Sequence, residues 1–289
     1  MSSIAVIGAG QMGAGIAQVS AQAGYQVLLS DREISIAECA KAYIGKMLAR
    51  AVEKGKMEEQ AASVAMDRIT PVGSYEPMAS AELIIEAATE REDVKRAIFD
   101  EVGKVLGHKA VLASNTSSIP ITRMAQATPD AARFVGVHFF NPVPVMGLIE
   151  VIRGLATSDE TVEKVESYAA AIGKKVVHAN DAPGFIVNRI LLPMLNEACF
   201  ALGEGVASIP DIDAAITMGL NHPMGPLTLA DFIGLDTCLH ITNVLYSSTG
   251  DPKYRAAPLL VKYVEAGWLG RKTKRGFYDY SGDAPVPTR

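Results

Sequence analysis

The chain opens with Ile4-Ala5-Val6-Ile7-Gly8-Ala9-Gly10-Gln11-Met12-Gly13, and the stretch from there to Asp31 decides the fold. A short apolar run reads as a buried strand. It breaks into Gly8-x-Gly10-x-x-Gly13, and a helical stretch of small residues runs on to Ala23, where Gly24 stops it. Tyr25 to Ser30 reads as a second strand, with Asp31 at its end. Strand, glycine turn, helix, strand and acid in this order form a dinucleotide-binding fingerprint.

Each piece has a physical job. Gly8 allows a tight turn, Gly10 lets the backbone approach a pyrophosphate, and Gly13 lets the helix lie close on the strand. The helix N-terminus offers free N–H groups and a partial positive charge to phosphates. Asp31 is suited to hydrogen-bond a ribose 2′-hydroxyl and to repel a 2′-phosphate, so NAD is favoured over NADP. Arg32 beside it leaves room for some NADP use, because a guanidinium can receive a 2′-phosphate.

At 289 residues the chain is too long for the commonest single core, and two domains are expected. A hydrophobic content of 49% is ample for burial, and a net charge of -5 argues against general affinity for nucleic acid or membrane surfaces. No apolar run reaches the ~18 residues of a membrane span, because Asn188, Arg189, Asn196 and Glu197 interrupt the best candidate. The chain enters its first strand within three residues, which is read as leaving no room for a leader peptide. Cys39, Cys199 and Cys238 are scattered and form no metal-ligand spacing. They suit a reducing cytosol, so a cytoplasmic protein with no bound metal is expected.

Beyond Asp31, Ile34 to Lys54 reads as a long helix on which Lys46, Arg50 and Lys54 fall four apart and share a face. Either this face is simply solvated, or it grips a phosphorylated substrate. Ala81 to Ala87 reads as a buried strand that runs into Ala88-Thr89-Glu90-Arg91-Glu92, and a helix carrying Lys95 continues to about Leu106. Ala110 to Ser114 is the next strand and ends in Asn115-Thr116-Ser117-Ser118. Phe134 to Phe139 carries His138, and Leu148 to Arg153 carries Glu150 after an Asn141-Pro142-Val143-Pro144 turn. Strands and helices that alternate with short connections predict a Rossmann-type, parallel, doubly wound α/β sheet. Ligands of such sheets bind beyond the carboxyl ends of the strands, where Asp31, Glu90, Ser117 and His138 fall.

The character changes after Asp181-Ala182-Pro183-Gly184. Phe185 to Leu202, Pro210 to Met218 and Leu227 to Tyr246 read as helices, and Ser281 to Arg289 reads as a loose tail. The expected organisation is a nucleotide-binding domain over residues 1–184 and an all-α domain over 185–289. The second, mostly apolar domain would contribute to the substrate cleft and form a homodimer.

An alcohol oxidised beside a nicotinamide needs a base for its proton, a group that fixes the base's tautomer, and donors for charge developing on oxygen. His138 is the natural base, since an imidazole titrates near neutral pH. Glu150 follows twelve residues later, and a turn between two strand ends could bring its carboxylate to the ring. Ser117 and Asn188 stand at element ends and could orient substrate oxygens. Plainer readings stand beside each of these. His138 could be a satisfied core residue, Glu150 a solvated strand residue, and Asn188 a helix-surface amide. Ser117 and Ser118 could cap a helix beginning at Ile121. His108, His178, His222 and His240 have no comparable partner pattern and read as structural.

The glycine turn, Ser114-Asn115-Thr116-Ser117-Ser118, and His138-Phe139-Phe140-Asn141-Pro142-Val143-Pro144-Val145-Met146 occur together with Asp181-Ala182-Pro183-Gly184-Phe185-Ile186-Val187-Asn188-Arg189 and Gly276-Phe277-Tyr278. In these motifs the chain resembles the L-3-hydroxyacyl-CoA dehydrogenases, in particular the bacterial 3-hydroxybutyryl-CoA dehydrogenases, over nearly its whole length. The resemblance implies reversible hydride transfer between NAD and an acyl-CoA substrate. It implies a catalytic pair of His138 and Glu150, assisted by Ser117 and Asn188. Cofactor contacts would fall on Gly8, Gly10, Gln11, Met12 and Gly13, and on Asp31, Glu90, Lys95, Asn115, Ser117 and Lys272. A coenzyme A contact would fall on Lys54, with Ser117, His138 and Asn188 also touching substrate. Two departures accompany these matches: Met47 stands where the family often has a small polar residue, and Lys272-Thr273-Lys274-Arg275-Gly276 is unusually basic. Two other readings stay open. One is a 3-hydroxyisobutyrate-type dehydrogenase, which uses a lysine as acid/base. The other is a nucleotide-binding protein without catalysis on the same scaffold.

Overall fold

The structure is a computed structural model describing residues 1–289. Short runs of branched apolar side chains become the strands β1 (Ser3–Ile7), β2 (Gln26–Ser30), β3 (Ile69–Val72), β4 (Leu83–Glu86), β5 (Val111–Ser114), β6 (Phe134–Phe139), β7 (Leu148–Arg153) and β8 (Lys175–Asn180). They form one sheet in the order β3-β2-β1-β4-β5-β6-β7-β8. β4 and β5 are buried along their whole length, which is why they read as unbroken apolar runs rather than as alternation. The helices α1 (Gln11–Gln22), α2 (Ile34–Glu53), α3 (Glu59–Asp67), α4 (Glu92–Gly103), α5 (Ile121–Met124) and α6 (Asp159–Ala171) connect the strands. On α2, Ala37, Ala40, Ile44 and Leu48 make the buried stripe, and Lys46 and Arg50 are exposed with Lys54 at its C-cap.

Two features depart from the expected parallel sheet. β6 and β7 run antiparallel, because the short connection after Phe139 turns the chain straight back. β3 is an edge strand that the sequence hides: it has four residues, one of them Pro71, and a proline in a strand is tolerated at an edge.

A buried ion pair sits under the sheet's carboxyl end. Glu86 ends β4, Ser114 lies opposite it on β5, and Lys95 reaches them from α4. Lys95 Nζ donates to Glu86 Oε2 at 2.5 Å and to Ser114 Oγ at 3.3 Å. Ser114 Oγ donates to Glu86 Oε2, and Glu86 Oε1 accepts the Ala88 N–H, both at 2.8 Å. Lys95 and Glu86 are both 0% exposed. In the chain by itself the Lys95 ammonium, expected at the cofactor, is engaged by Glu86: its charge is tolerable in the core because a carboxylate meets it.

Contacts divide the chain into Met1–Phe185 and Ile186–Arg289. The second unit contains α7 (Val187–Gly203), α8 (Ile209–Gly219), α9 (Pro226–Ile233), α10 (Leu235–Thr249), α11 (Pro258–Glu265) and a small ladder of β9 (Tyr278–Asp279) with β10 (Val286–Pro287). The single helix expected over Leu227 to Tyr246 is two, since Gly234 at φ 104 lies outside any helical geometry. The expected loose tail is tied down: β10 pairs with β9, and Thr288 donates to the carbonyls of Gly276 and Phe277. Within the unit, Asp231 accepts the N–H groups of Phe277 and Tyr278 and the hydroxyl of Tyr280. Burial still raises its carboxyl above the usual range. No helix is long and apolar enough to cross a membrane.

Lys95→Ala would strand the Glu86 carboxylate in the core and should lower stability by about 3–5 kcal/mol in urea unfolding. Lys46→Ala, on the exposed face of α2, should change it by less than about 0.5 kcal/mol.

Candidate active site

The glycine turn is shaped by what its glycines meet. Gly8 has φ 97, and a Cβ there would lie 2.4 Å from the Ala88 backbone. A Cβ at Gly13 would stand 1.7 Å from the Gly8 carbonyl oxygen. Gly10 differs: a Cβ there would meet nothing within 4 Å. Packing therefore demands Gly8 and Gly13, whereas only an incoming ligand needs the space over Gly10. Gly10 is also the N-cap of α1 and supplies no side-chain cap, so the first-turn amides of Gln11 and Met12 are left for an anion. Asp31 follows β2, and its carboxylate accepts the Ala9 N–H at 2.7 Å and the Arg32 N–H at 2.8 Å. The acid thus braces the turn as well as standing where a ribose is expected, and these residues fit a dinucleotide.

Two strands of opposite direction build the His138–Glu150 pair. His138 on β6 lies directly across from Glu150 on β7, so both side chains leave the same face of the sheet. His138 Nδ1 is 2.6 Å from Glu150 Oε2, and the carboxylate is fully buried. A carboxylate accepts, so Nδ1 carries the hydrogen and Nε2 keeps its lone pair. Phe140 and Phe185 flank the ring, with centroids 4.6 Å and 5.8 Å away. Neither phenylalanine has a role in the sequence reading. Phe185 adopts φ 50, unusual for a bulky residue, and nothing in its local pattern signals that.

The connection that turns β6 into β7 is held from two sides. Lys174 is buried, and its ammonium donates to the carbonyls of Val143 at 2.7 Å and Met146 at 2.6 Å. Burial draws its pKa below the usual lysine value. Against α1, Val143 fills the space beside Gly15, where a Cβ would come within 2.8 Å of Val143 Cβ.

The remaining expected residues have definite positions. Asn115 spends its carbonyl on the Phe139 N–H at 2.9 Å and so secures the residue after His138. The Glu90 carboxylate gathers donors from the loop after β5, and the half-buried Ser117 belongs to that loop. The alternative reading of Ser117 or Ser118 as a cap of α5 does not hold: the N–H groups of Ile121 and Thr122 donate to Asp181 at 2.8 and 2.7 Å. Lys54 is exposed at the end of α2. In the second unit, Asn188 stands in the first turn of α7, and Lys272 Nζ pairs with Asp236 at 2.5 Å. Burial pushes the Cys238 thiol up to about 12 and raises that of Cys199 as well, which leaves neither as a thiolate near neutral pH.

Comparison with known proteins gives a consistent result. Residues 3–182 match the 3-hydroxyacyl-CoA dehydrogenase NAD binding domain, and residues 184–280 match the 3-hydroxyacyl-CoA dehydrogenase C-terminal domain. The chain is 55% identical over 286 residues to a 3-hydroxybutyryl-CoA dehydrogenase of Bradyrhizobium diazoefficiens, covering 99% of this chain and 98% of that protein. It is 52% identical over 277 residues to a probable 3-hydroxybutyryl-CoA dehydrogenase of Bacillus subtilis, covering 96% of each. Among solved structures, (S)-3-hydroxybutyryl-CoA dehydrogenase PaaH1 from Ralstonia eutropha superposes with a TM-score of 0.95 at 47% identity, covering 98% of this chain and 100% of that one.

The contrast between Gly10 and Gly13 is testable. Gly10→Val should keep the melting temperature nearly unchanged while weakening NADH binding by at least about tenfold in calorimetric titration. Gly13→Val should lower both, because its side chain strikes the turn itself.

Proposed function

Because the chain belongs to the 3-hydroxyacyl-CoA dehydrogenase family, we propose that it reversibly interconverts (3S)-3-hydroxyacyl-CoA and 3-oxoacyl-CoA with a short acyl chain, 3-hydroxybutyryl-CoA foremost. It is an NAD-dependent dehydrogenase. The observation that carries the proposed mechanism is the buried His138–Glu150 pair, 2.6 Å apart.

NAD, held by the glycine turn and the first-turn amides of α1, would supply the acceptor for the hydride leaving C3. His138 Nε2 takes the proton of the C3 hydroxyl in the oxidative direction. In the reductive direction the protonated ring gives that proton back to the oxygen. Glu150 holds the ring through Nδ1 and favours its cationic form in both directions. Ser117 and Asn188 are assigned to orient the substrate oxygens. Lys54, with Lys46 and Arg50 on the same exposed face, is assigned to coenzyme A phosphates. The helical unit exposes Val206, Met218, Leu220 and Phe232, which supports a homodimer through that unit. Three free cysteines agree with a reducing cytoplasm.

The direct test is oxidation of NADH by acetoacetyl-CoA. His138→Gln should lower kcat by about 10²- to 10⁴-fold while NADH affinity is retained. A kcat near that of the wild type would remove His138 from its role. With NADPH in place of NADH, repulsion by Asp31 should reduce kcat/KM by about tenfold or more.

A further inference from the structure

Three consecutive hydroxyl residues, Thr116, Ser117 and Ser118, follow β5, and one carboxylate sorts them. Glu90 Oε1 accepts from Thr116 Oγ1 at 2.8 Å, from Ser118 Oγ at 3.0 Å, and from the backbone N–H groups of Ser117 at 2.8 Å and Ser118 at 3.1 Å. Thr116 Oγ1 also accepts the N–H groups of Ser118 at 3.3 Å and Ile119 at 3.0 Å. Thr116 and Ser118 are buried at 1% and 8% exposure. Ser117 is half-buried, and its hydroxyl has no hydrogen-bond partner within the chain. The run therefore presents one unspent hydroxyl between two that are consumed.

We propose that Glu90 is a positioning residue for Ser117. Its carboxylate clamps the Ser117 amide and both neighbouring hydroxyls, and so delivers the Ser117 Oγ to a substrate oxygen at a fixed point. The inference rests on the assignment of Ser117 to substrate orientation. It gives the Glu90 side chain work of its own, separate from a contact with the cofactor.

The physical grounds are reach and charge. Glu90 lies in the loop before α4, two residues ahead of Glu92 at its start, close to the positive end of the helix dipole. Hydrogen bonds to an ionised acceptor are shorter and stronger than neutral ones. A loop held by several of them loses much of its freedom. Without the clamp, the serine and threonine hydroxyls would turn to nearby backbone groups, as they commonly do in short loops. Ser117 would then share its position with alternatives, and a displacement of about 1 Å can cost a catalytic contact roughly 10²-fold.

The test combines kinetics with amide exchange. Glu90→Ala and Glu90→Asp, the second keeping the charge but losing one methylene of reach, should each lower kcat for acetoacetyl-CoA reduction by about tenfold or more. KM for NADH should move less than about threefold in both. Glu90→Gln keeps an acceptor at the same reach without the charge and should recover part of kcat over Glu90→Asp; no recovery at all would overturn the role given to reach. In a Ser117→Ala background, Glu90→Asp should cost less than about twofold further, because the group it positions is gone. Full multiplicative losses in that background, or a raised NADH KM with kcat intact, would overturn the proposal. Hydrogen exchange at the Ser117 and Ser118 amides should speed up in Glu90→Asp, and unchanged exchange would also overturn it. Exchange does not depend on turnover. Absence of wild-type activity toward acetoacetyl-CoA therefore counts against the assigned reaction, while unchanged exchange counts against the clamp.

Discussion

Residues directly opposite in an antiparallel pair send their side chains to the same face, about 5 Å apart at Cβ. His138 and Glu150 stand in that relation, and the proposed acid/base chemistry depends on it. A parallel connection between β6 and β7 would need a crossover of roughly a dozen residues or more. It would also run the second strand in the opposite sense, changing which residue faces the imidazole. The short turn between Phe139 and Leu148 avoids this, and its surroundings fix it in place. Lys174 holds two of its carbonyls, Val143 packs on α1, and Asn115 takes the Phe139 N–H.

Beneath these loops lies a second, buried polar layer. Lys95, Glu86 and Ser114 satisfy one another where the central strands end. A buried pair of this kind is weak evidence for stability, since desolvation offsets much of the attraction. Its location suggests a different value. Glu86 accepts the Ala88 N–H, and Ala88 is the residue against which Gly8 is packed. The core charge thus defines where the floor of the nucleotide turn lies.

The glycine fingerprint, most of the sheet's strands and the His138–Glu150 pairing were legible because each has a strong local signature: turn chemistry, apolar runs, and two strands joined by a proline-containing turn. What stayed hidden depends on distant residues. Lys95 looks like an ordinary surface lysine at the start of a helix, and only the sheet reveals that Glu86 waits beneath it. The capping of α5 by Asp181 spans sixty residues, whereas Ser118 is a plausible cap from nearby. Lys174 gave no sign that its partners would be carbonyls of a preceding turn. Gly234 stands inside an apolar, helix-like pattern, so the break it causes was not visible in periodicity alone. The ties of Thr288 to Gly276 and Phe277 were equally unavailable to a reading of local composition.

The missing side chain at Gly15 has a consequence for how such a sequence can drift. The helix that begins at the glycine turn and the turn that joins the acid/base strands touch here with no spare room, since a Cβ at residue 15 would enter the space of Val143 Cβ. Positions 15 and 143 therefore form a single unit of inheritance. Bulk gained at one must be surrendered at the other, or the strain reaches the imidazole through the turn. A change on the helix behind the glycine turn would then be felt at the strands that carry His138 and Glu150, and the two cannot diversify independently.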